Sequence, residues 1–405
     1  MSDSNRTIRR RLRERGLALM LVLGLVVLLV SIGFSFHDQM AGRLTDARMG
    51  ALDAEALTLA RSGLYLAKLL MKAETRSYLY LPREETSPES KSGSSDQPRA
   101  KKIEKTKLDE IYQFLATSEK EGFPLEGGRL SIQLIDENAL INLNRASEAT
   151  LASLFAVVGL KRRKKLEILD EVVEEDISRE AARSVINWRS PEGQKLVGGG
   201  DDTYYDSRKP PYRSRSAPFE VPDELLLIKD MTPLSFFGTP QESRNGAGGP
   251  GGPPGEGGAK PKEAEGESDT PVKDKGKNAD NDKEKPKKVE GLAGYVTVWG
   301  DGKVNANNAP LTVLKAMPGI AESISREALA KAVVDHRPYR DAGEIRNALA
   351  MVDPRAGGQI TAYLKTSSTV LRVRATGFRG VRRRVVEAVL SKTGILVKTL
   401  YYRED

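Results

Sequence analysis

The chain has 405 residues, a formal net charge of +8, no cysteine and two histidines, and only 39% of it is apolar. Without cysteine there is no disulfide framework, thiolate metal site or thiol nucleophile. With His37 and His336 alone, histidine acid–base chemistry has almost nothing to work with. The positive balance owes much to an arginine-rich N-terminal tail and says little about a nucleic-acid partner.

Residues 1–16 form a basic leader in which Arg6, Arg9, Arg10, Arg11, Arg13 and Arg15 face only Asp3 and Glu14. Gly16 to Phe36 carries no charge. About 20 apolar residues in a helix span a ~30 Å hydrocarbon core. The arginines predict a cytoplasmic N-terminus, with the bulk of the chain outside. No proline follows until Pro82, and Leu44, Ala47, Ala51, Ala54, Thr58, Arg61, Leu64 and Ala67 recur at helical steps. One helix is therefore expected from Leu17 to about Tyr78, within a 17–82 unit, roughly 90 Å long.

Residues 83–107 read as a linker rich in Ser, Lys, Glu and Pro. In 108–143, Leu108 to Ala116 suits a short helix, and Arg129 to Asn142 alternates as a strand, a turn at Asp136-Glu137-Asn138 and a second strand. Residues 144–238 turn helical, with helices expected at Ser147–Val157, Lys161–Val173, Arg179–Trp188 and Pro222–Asp230. Residues 239–289 are a Gly/Pro- then Lys/Glu-rich insertion too polar to order itself. A strand and hairpin segment is expected over 290–305, covering Gly294–Trp299 and Val304–Asn305. Helices follow over 306–366, and a three-stranded antiparallel meander over 367–405.

Two segments repeat. Ile141-Asn142-Leu143-Asn144-Arg145-Ala146-Ser147 matches Val304-Asn305-Ala306-Asn307-Asn308-Ala309-Pro310. Each is followed by a glycine turn (Gly159, Gly319), then by Trp188-Arg189 or His336-Arg337, then by Pro218-Phe219 with Glu224 or Pro338-Tyr339 with Glu344. Short Asn amides at strand-to-helix junctions can hold the local backbone and cap the coming helix. His336, matching Trp188, reads as a packing residue, and Trp188 and Trp299 as core or sheet residues.

On these residues the chain resembles the type II secretion minor pseudopilin K family. Gly16 lies directly before the apolar helix, the fifth position after it is the uncharged Leu21, the Asn-x-Asn segments occur twice, and Tyr204-Tyr205 with Pro210-Pro211-Tyr212-Arg213 leads into Asp223-Glu224-Leu225. The resemblance implies an α+β fold: a long N-terminal transmembrane and assembly helix, and a small antiparallel pseudopilin sheet with an inserted two-part helical domain of SAM-like or helix-hairpin-helix-like form. It implies a non-enzymatic subunit at the pseudopilus tip, acting in protein export across the outer membrane. Prepilin peptidase would cut between Gly16 and Leu17, with methylation of the new N-terminus. The implied location is the inner membrane, single-pass, with the bulk periplasmic. The implied partners are other minor pseudopilins in a tip heterotrimer, the major pseudopilin, prepilin peptidase and inner-membrane lipid. Without a glutamate at Leu21, the subunit cannot pair with the N-terminal amine of a neighbour, which suits a terminal position.

The resemblance further implies a calcium site on the acidic loop, at Glu192, Asp201 and Asp202; oxygen ligands on a flexible loop suit Ca²⁺. Arg189, Ser190 and Pro191 depart from the family's more acidic pattern there, and the 239–289 insertion is a second departure. The alternative reading is a membrane-anchored, exported DNA-binding or uptake protein using helix-hairpin-helix units. Lys161, Arg162, Arg163, Lys164 and Lys165 would suit phosphate. The acids that follow them, and Glu322 in the second glycine turn, argue against nucleic acid.

Overall fold

The structure is a computed structural model that describes residues 3–74, 79–81, 107, 110–115, 122–166, 171–239 and 290–405. The 239–289 insertion beyond residue 239, and most of the 83–107 linker, lie outside the described residues.

In chain order the helices are α1 (Asp3–Ala73), α2 (Glu148–Val158), α3 (Ser178–Arg189), α4 (Asp202–Asp206), α5 (Pro233–Phe237), α6 (Leu311–Ala316), α7 (Arg326–Asp335), α8 (Ala342–Ala350) and α9 (Ala356–Ile360). The strands are β1 (Phe123–Leu125), β2 (Gly128–Asp136), β3 (Ile141–Asn142), β4 (Lys161–Leu166), β5 (Glu171–Asp176), β6 (Val296–Thr297), β7 (Val304–Asn305), β8 (Leu364–Lys365), β9 (Val370–Arg379), β10 (Arg382–Thr393) and β11 (Leu396–Glu404). Residues 110–115 are also helical. The class is α+β, as expected.

The 71-residue α1 begins at Asp3, not at Leu17. Leu, Arg and Glu in the leader are good helix formers, and no proline interrupts them. It ends at Ala73, short of the expected Tyr78. There the Lys392 ammonium donates to the carbonyl oxygens of Met71 (2.7 Å) and Glu74, satisfying orphan groups of the last turn. From Met20 to Phe36 every residue is exposed, in a helix long and apolar enough to cross a membrane.

Beyond that span, α1 lies on one face of a five-stranded antiparallel sheet of order β1-β2-β9-β10-β11. Ala56, Ala60, Leu64, Ala67, Leu70 and Met71 pack on Leu130, Ile132, Val373, Ala375, Val386 and Ala388. The packed stripe differs from the expected one: Leu44, Ala47, Ala51, Ala54, Thr58 and Arg61 are exposed, and only Leu64 and Ala67 are shared. The smallest side chains set the face, because they let backbones approach closely. A Cβ on Gly377 would stand 2.0 Å from the carbonyl oxygen of Ala56, and one on Gly63 would stand 2.8 Å from Ala375 Cβ.

The helical domain is inserted between β2 and β9, which are neighbours in the sheet. Its core runs through both sequence repeats: Leu151, Leu154, Phe155, Val185 and Trp188 belong to one buried cluster with Leu314, Val333, Tyr339, Ile345 and Leu349. Two expected helices are corrected. Lys161–Val173 is not a helix; it begins the β4–β5 hairpin, in which Arg162 pairs with Glu175 and Arg163 with Glu174 in register. Across the two strands Arg162 lies 3.8 Å from Glu175 as an ion pair, which favours that arrangement. Pro222–Asp230 is a 3₁₀ turn (Pro222–Leu227), and α5 follows it. The expected strand Gly294–Trp299 shortens to β6, after a 3₁₀ turn at Leu292–Gly294.

Candidate functional site

Two Asn-centred nodes organise the helical domain, and they match residue for residue. In the first, Asn144 Oδ1 accepts from the Phe219 N–H (2.7 Å), while its amide donates to the carbonyls of Phe219 (3.0 Å) and Val298 (3.1 Å). In the second, Asn307 does the same with the Tyr339 N–H (2.6 Å) and the carbonyls of Tyr339 (2.9 Å) and Thr366 (3.2 Å). Arg189 donates to the carbonyls of Leu143 and Ala146, and Arg337 to those of Ala306 and Ala309. Glu224 accepts from the N–H of Glu220 (2.7 Å), and Glu344 from the N–H of Arg340 (2.7 Å). Each node carries a two-residue parallel ladder, β3 with β6 and β7 with β8. An amide that accepts from one N–H and donates to two carbonyls fixes a loop against a strand without needing a longer sheet.

The nodes differ where they face the sheet. Asn142 donates to the carbonyls of Trp299 (2.9 Å) and Gly300 (3.0 Å). Asn305, its counterpart, donates to Asp136 Oδ2 (2.8 Å), Ser368 Oγ (2.9 Å) and the Leu79 carbonyl (3.1 Å). Asn308 adds a bond to Asp136 Oδ2 (2.7 Å) and accepts from the Leu81 N–H (2.8 Å). Asp136 also accepts from Ser368 Oγ (2.5 Å) and the Asn138 N–H (2.9 Å). Beside it, the fully buried Glu137 pairs with Arg372 and accepts from the Thr297 hydroxyl. Burial raises the pKa of both carboxyls, against the donors that surround them. This polar knot ties the end of β2, the start of β9, the second repeat and the chain just beyond α1 into one piece. Sequence reasoning read Asp136 and Glu137 only as a turn; two adjacent acids directly after an apolar strand were the available signal.

Sheet and domain also meet through Trp299, which packs on Tyr401 with ring centroids 5.8 Å apart and lies under the Arg372 guanidinium at 5.6 Å. Trp188 is buried among Tyr205 and Tyr212. His336 does not pack as its counterpart does: it is exposed at the end of α7, with Nδ1 2.9 Å from the Ala332 carbonyl oxygen. His37 is exposed on α1.

Gly16 and Leu17 lie within the unbroken backbone of α1, and Leu21 is 73% exposed on it. On the acidic loop, Asp202 is held by the Lys195 ammonium and accepts from Ser214 Oγ (2.6 Å). Asp201 caps α4 by accepting from the Tyr204 N–H (3.0 Å), and Glu192 is exposed. Among the described residues no three carboxylates or histidines converge on one point. The Lys195 ammonium already sits on Asp202 and Asp201 is engaged as a helix cap, so this donor set does not fit Ca²⁺ as arranged. In the second glycine turn, the Gly319 N–H donates to Glu322 Oε2 (2.5 Å). A carboxylate thus fills the amide that a DNA phosphate would need.

Residues 134–236 match the family described as Type II secretion system (T2SS), protein K. None of the curated proteins matches the chain. Among solved structures, the chain is similar to one from the GspK-GspI-GspJ complex of the type 2 secretion system of enterotoxigenic Escherichia coli. The identity is 17% and the TM-score 0.49, over 90% of this chain and 98% of that one.

Proposed function

We propose that this chain, whose residues 134–236 match the type II secretion system protein K family, is a minor pseudopilin capping the tip of a pseudopilus. One observation carries the reading. The helical domain leaves the sheet at the Asp136–Leu371 rung, beside the C-terminal end of α1 and far from its apolar span. The bulk of the subunit therefore stands above its own assembly helix, where a further subunit would stack.

In this reading α1 is anchored in the inner membrane with its N-terminus cytoplasmic, is cut between Gly16 and Leu17, and then packs against other minor pseudopilins and the major pseudopilin. Leu21 leaves it without a carboxylate for the amine of a subunit above. Its role is structural rather than catalytic, and Lys195 supplies the positive charge that the acidic loop needs. The deciding experiment is N-terminal sequencing of the mature protein from cells containing prepilin peptidase, followed by immunogold labelling of pseudopili. The expected result is a chain that begins at Leu17, with label at filament ends. A chain that begins at Met1 or beyond Phe36, or label spread along the filaments, overturns the proposal.

A further inference from the structure

The internal duplication permits a comparison within one molecule. In the second node, Asn308 faces a carboxylate, Asp136, and an extended stretch of backbone at Leu79–Leu81. The equivalent position in the first node is Arg145. The backbones agree: the Arg145 and Ala146 N–H groups donate to the Asn142 carbonyl, as those of Asn308 and Ala309 do to the Asn305 carbonyl. Yet the exposed Arg145 side chain meets no carboxylate among the described residues.

Its surroundings are rich in positive charge. Arg189, largely buried nearby, spends its guanidinium on the carbonyls of Leu143 and Ala146, and burial, with the neighbouring Arg145 charge, lowers its pKa. Two guanidinium groups thus share one locus with no anion between them. Two acids near in sequence to the cavity lining are committed elsewhere. Asp301 accepts from Lys365 Nζ (2.9 Å) and Asn138 Nδ2 (3.3 Å), and Glu148 pairs with Arg183 (2.8 Å). Arg145 lines a cavity of about 150 Å³ between the two repeats, with Asn142, Ser147, Thr150, Met317 and Tyr363. Ser147 and Thr150 bring hydroxyls, and the capped N-terminus of α2 favours negative charge there.

We propose that this cavity receives an aspartate or glutamate side chain from an extended segment of a partner protein, which does at Arg145 what Asp136 does at Asn308. A planar guanidinium can take a carboxylate in two parallel hydrogen bonds, while Met317 and Tyr363 cover the aliphatic stem. The inference rests on the unequal filling of two equivalent nodes and stands apart from the tip assignment.

The test is photocrosslinking in secreting cells. The full-length chain carries a benzophenone amino acid at Pro318, which lines the cavity, and the crosslinked peptide is identified by mass spectrometry. The expected product is a partner peptide containing Asp or Glu. R145E lowers its yield about tenfold, R145K lowers it by less, and replacing that acid by Arg restores the yield against R145E. A tenfold change corresponds to ~1.4 kcal/mol. Thermal melts of R145E and R145K matching the parent exclude misfolding as the cause. A product from residues 240–289 of the same chain, from lipid, or from a peptide without an acid overturns the proposal, as does a yield indifferent to R145E.

Discussion

Asp136 and Asn305 meet at 2.8 Å although one ends a sheet strand and the other sits in the second repeat of the helical domain. Their bond is the centre of the knot between the two parts of the protein. Replacing Asp136 by alanine removes the charged acceptor that the amides of Asn305 and Asn308 share, and the Leu79 carbonyl alone remains common to both inside a closed site. The expected loss is about 3 kcal/mol, read as a lower midpoint in urea unfolding. The isosteric Asp136→Asn should lose less, since it keeps one acceptor oxygen.

Two acidic positions should respond to pH with opposite signs. The bond from Lys195, and then that from Ser214, hold the Asp202 carboxyl below its ordinary pKa of 3.8. Its contribution is therefore present above that value and is lost as pH falls through the lowered one. Burial raises the Asp136 carboxyl, so its contribution is full below 3.8 and declines as pH rises through the raised value. The melting difference between parent and Asp202→Asn should be larger at pH 7 than at pH 3. The difference between parent and Asp136→Asn should be larger at pH 4 than at pH 8.

The α1–sheet contact depends on glycine. Gly377→Ala drives a methyl group toward the Ala56 carbonyl oxygen, a backbone atom that cannot swing aside. The expected cost is about 2 kcal/mol of overpacking, with faster amide exchange around Ala56 and Ala60. Gly24→Ala, which meets nothing within 4 Å in the apolar span, is the control.

The two Asn nodes allow a matched pair of substitutions. Asn307 is almost fully buried and Asn144 half-buried, with the same three bonds. Asn307→Ala should destabilise by about 3 kcal/mol and Asn144→Ala by roughly half of that, measured by calorimetry. Equal effects would mean that exposure does not govern these bonds.

Calcium should leave the parent protein's melting temperature unchanged, because Lys195 neutralises Asp202. Lys195→Ala frees that carboxylate, and the acidic loop should loosen, with changed near-ultraviolet dichroism of the adjoining Trp188 and Tyr205. A calcium-dependent rise in the parent's melting temperature would contradict the lysine's role.

Much of this architecture was legible in the sequence because it rests on local patterns. The apolar run, the alternation of the C-terminal meander and the paired Asn segments each carry a period or a motif. The exchange of Trp188 for His336 within the repeat was visible, but its outcome was not, since burial there depends on partners far along the chain. The β4–β5 hairpin was missed because Lys161–Leu166 has no apolar period to mark it as a strand. The face of α1 was misjudged in its phase: both stripes are rich in alanine, and the close approach of Ala56 and Ala60 to Gly377, and of Gly63 to Ala375, decides which one meets the sheet. Asp136 and Glu137 were hidden for a related reason: their partners, Asn305, Ser368 and Arg372, are distant in sequence.

The placement of the helical domain has a last consequence. It departs after Asp136 and returns at Leu371, and these two residues are partners on one rung of the ladder. The whole excursion therefore starts and finishes at adjacent points, and the β2–β9 pairing does not depend on what lies between. Such a socket is interchangeable: the sheet with α1 could carry a different load, or close with a tight turn, without redrawing its own strands. Selection can thus reshape the helical domain and the unit of α1 and its sheet on separate schedules.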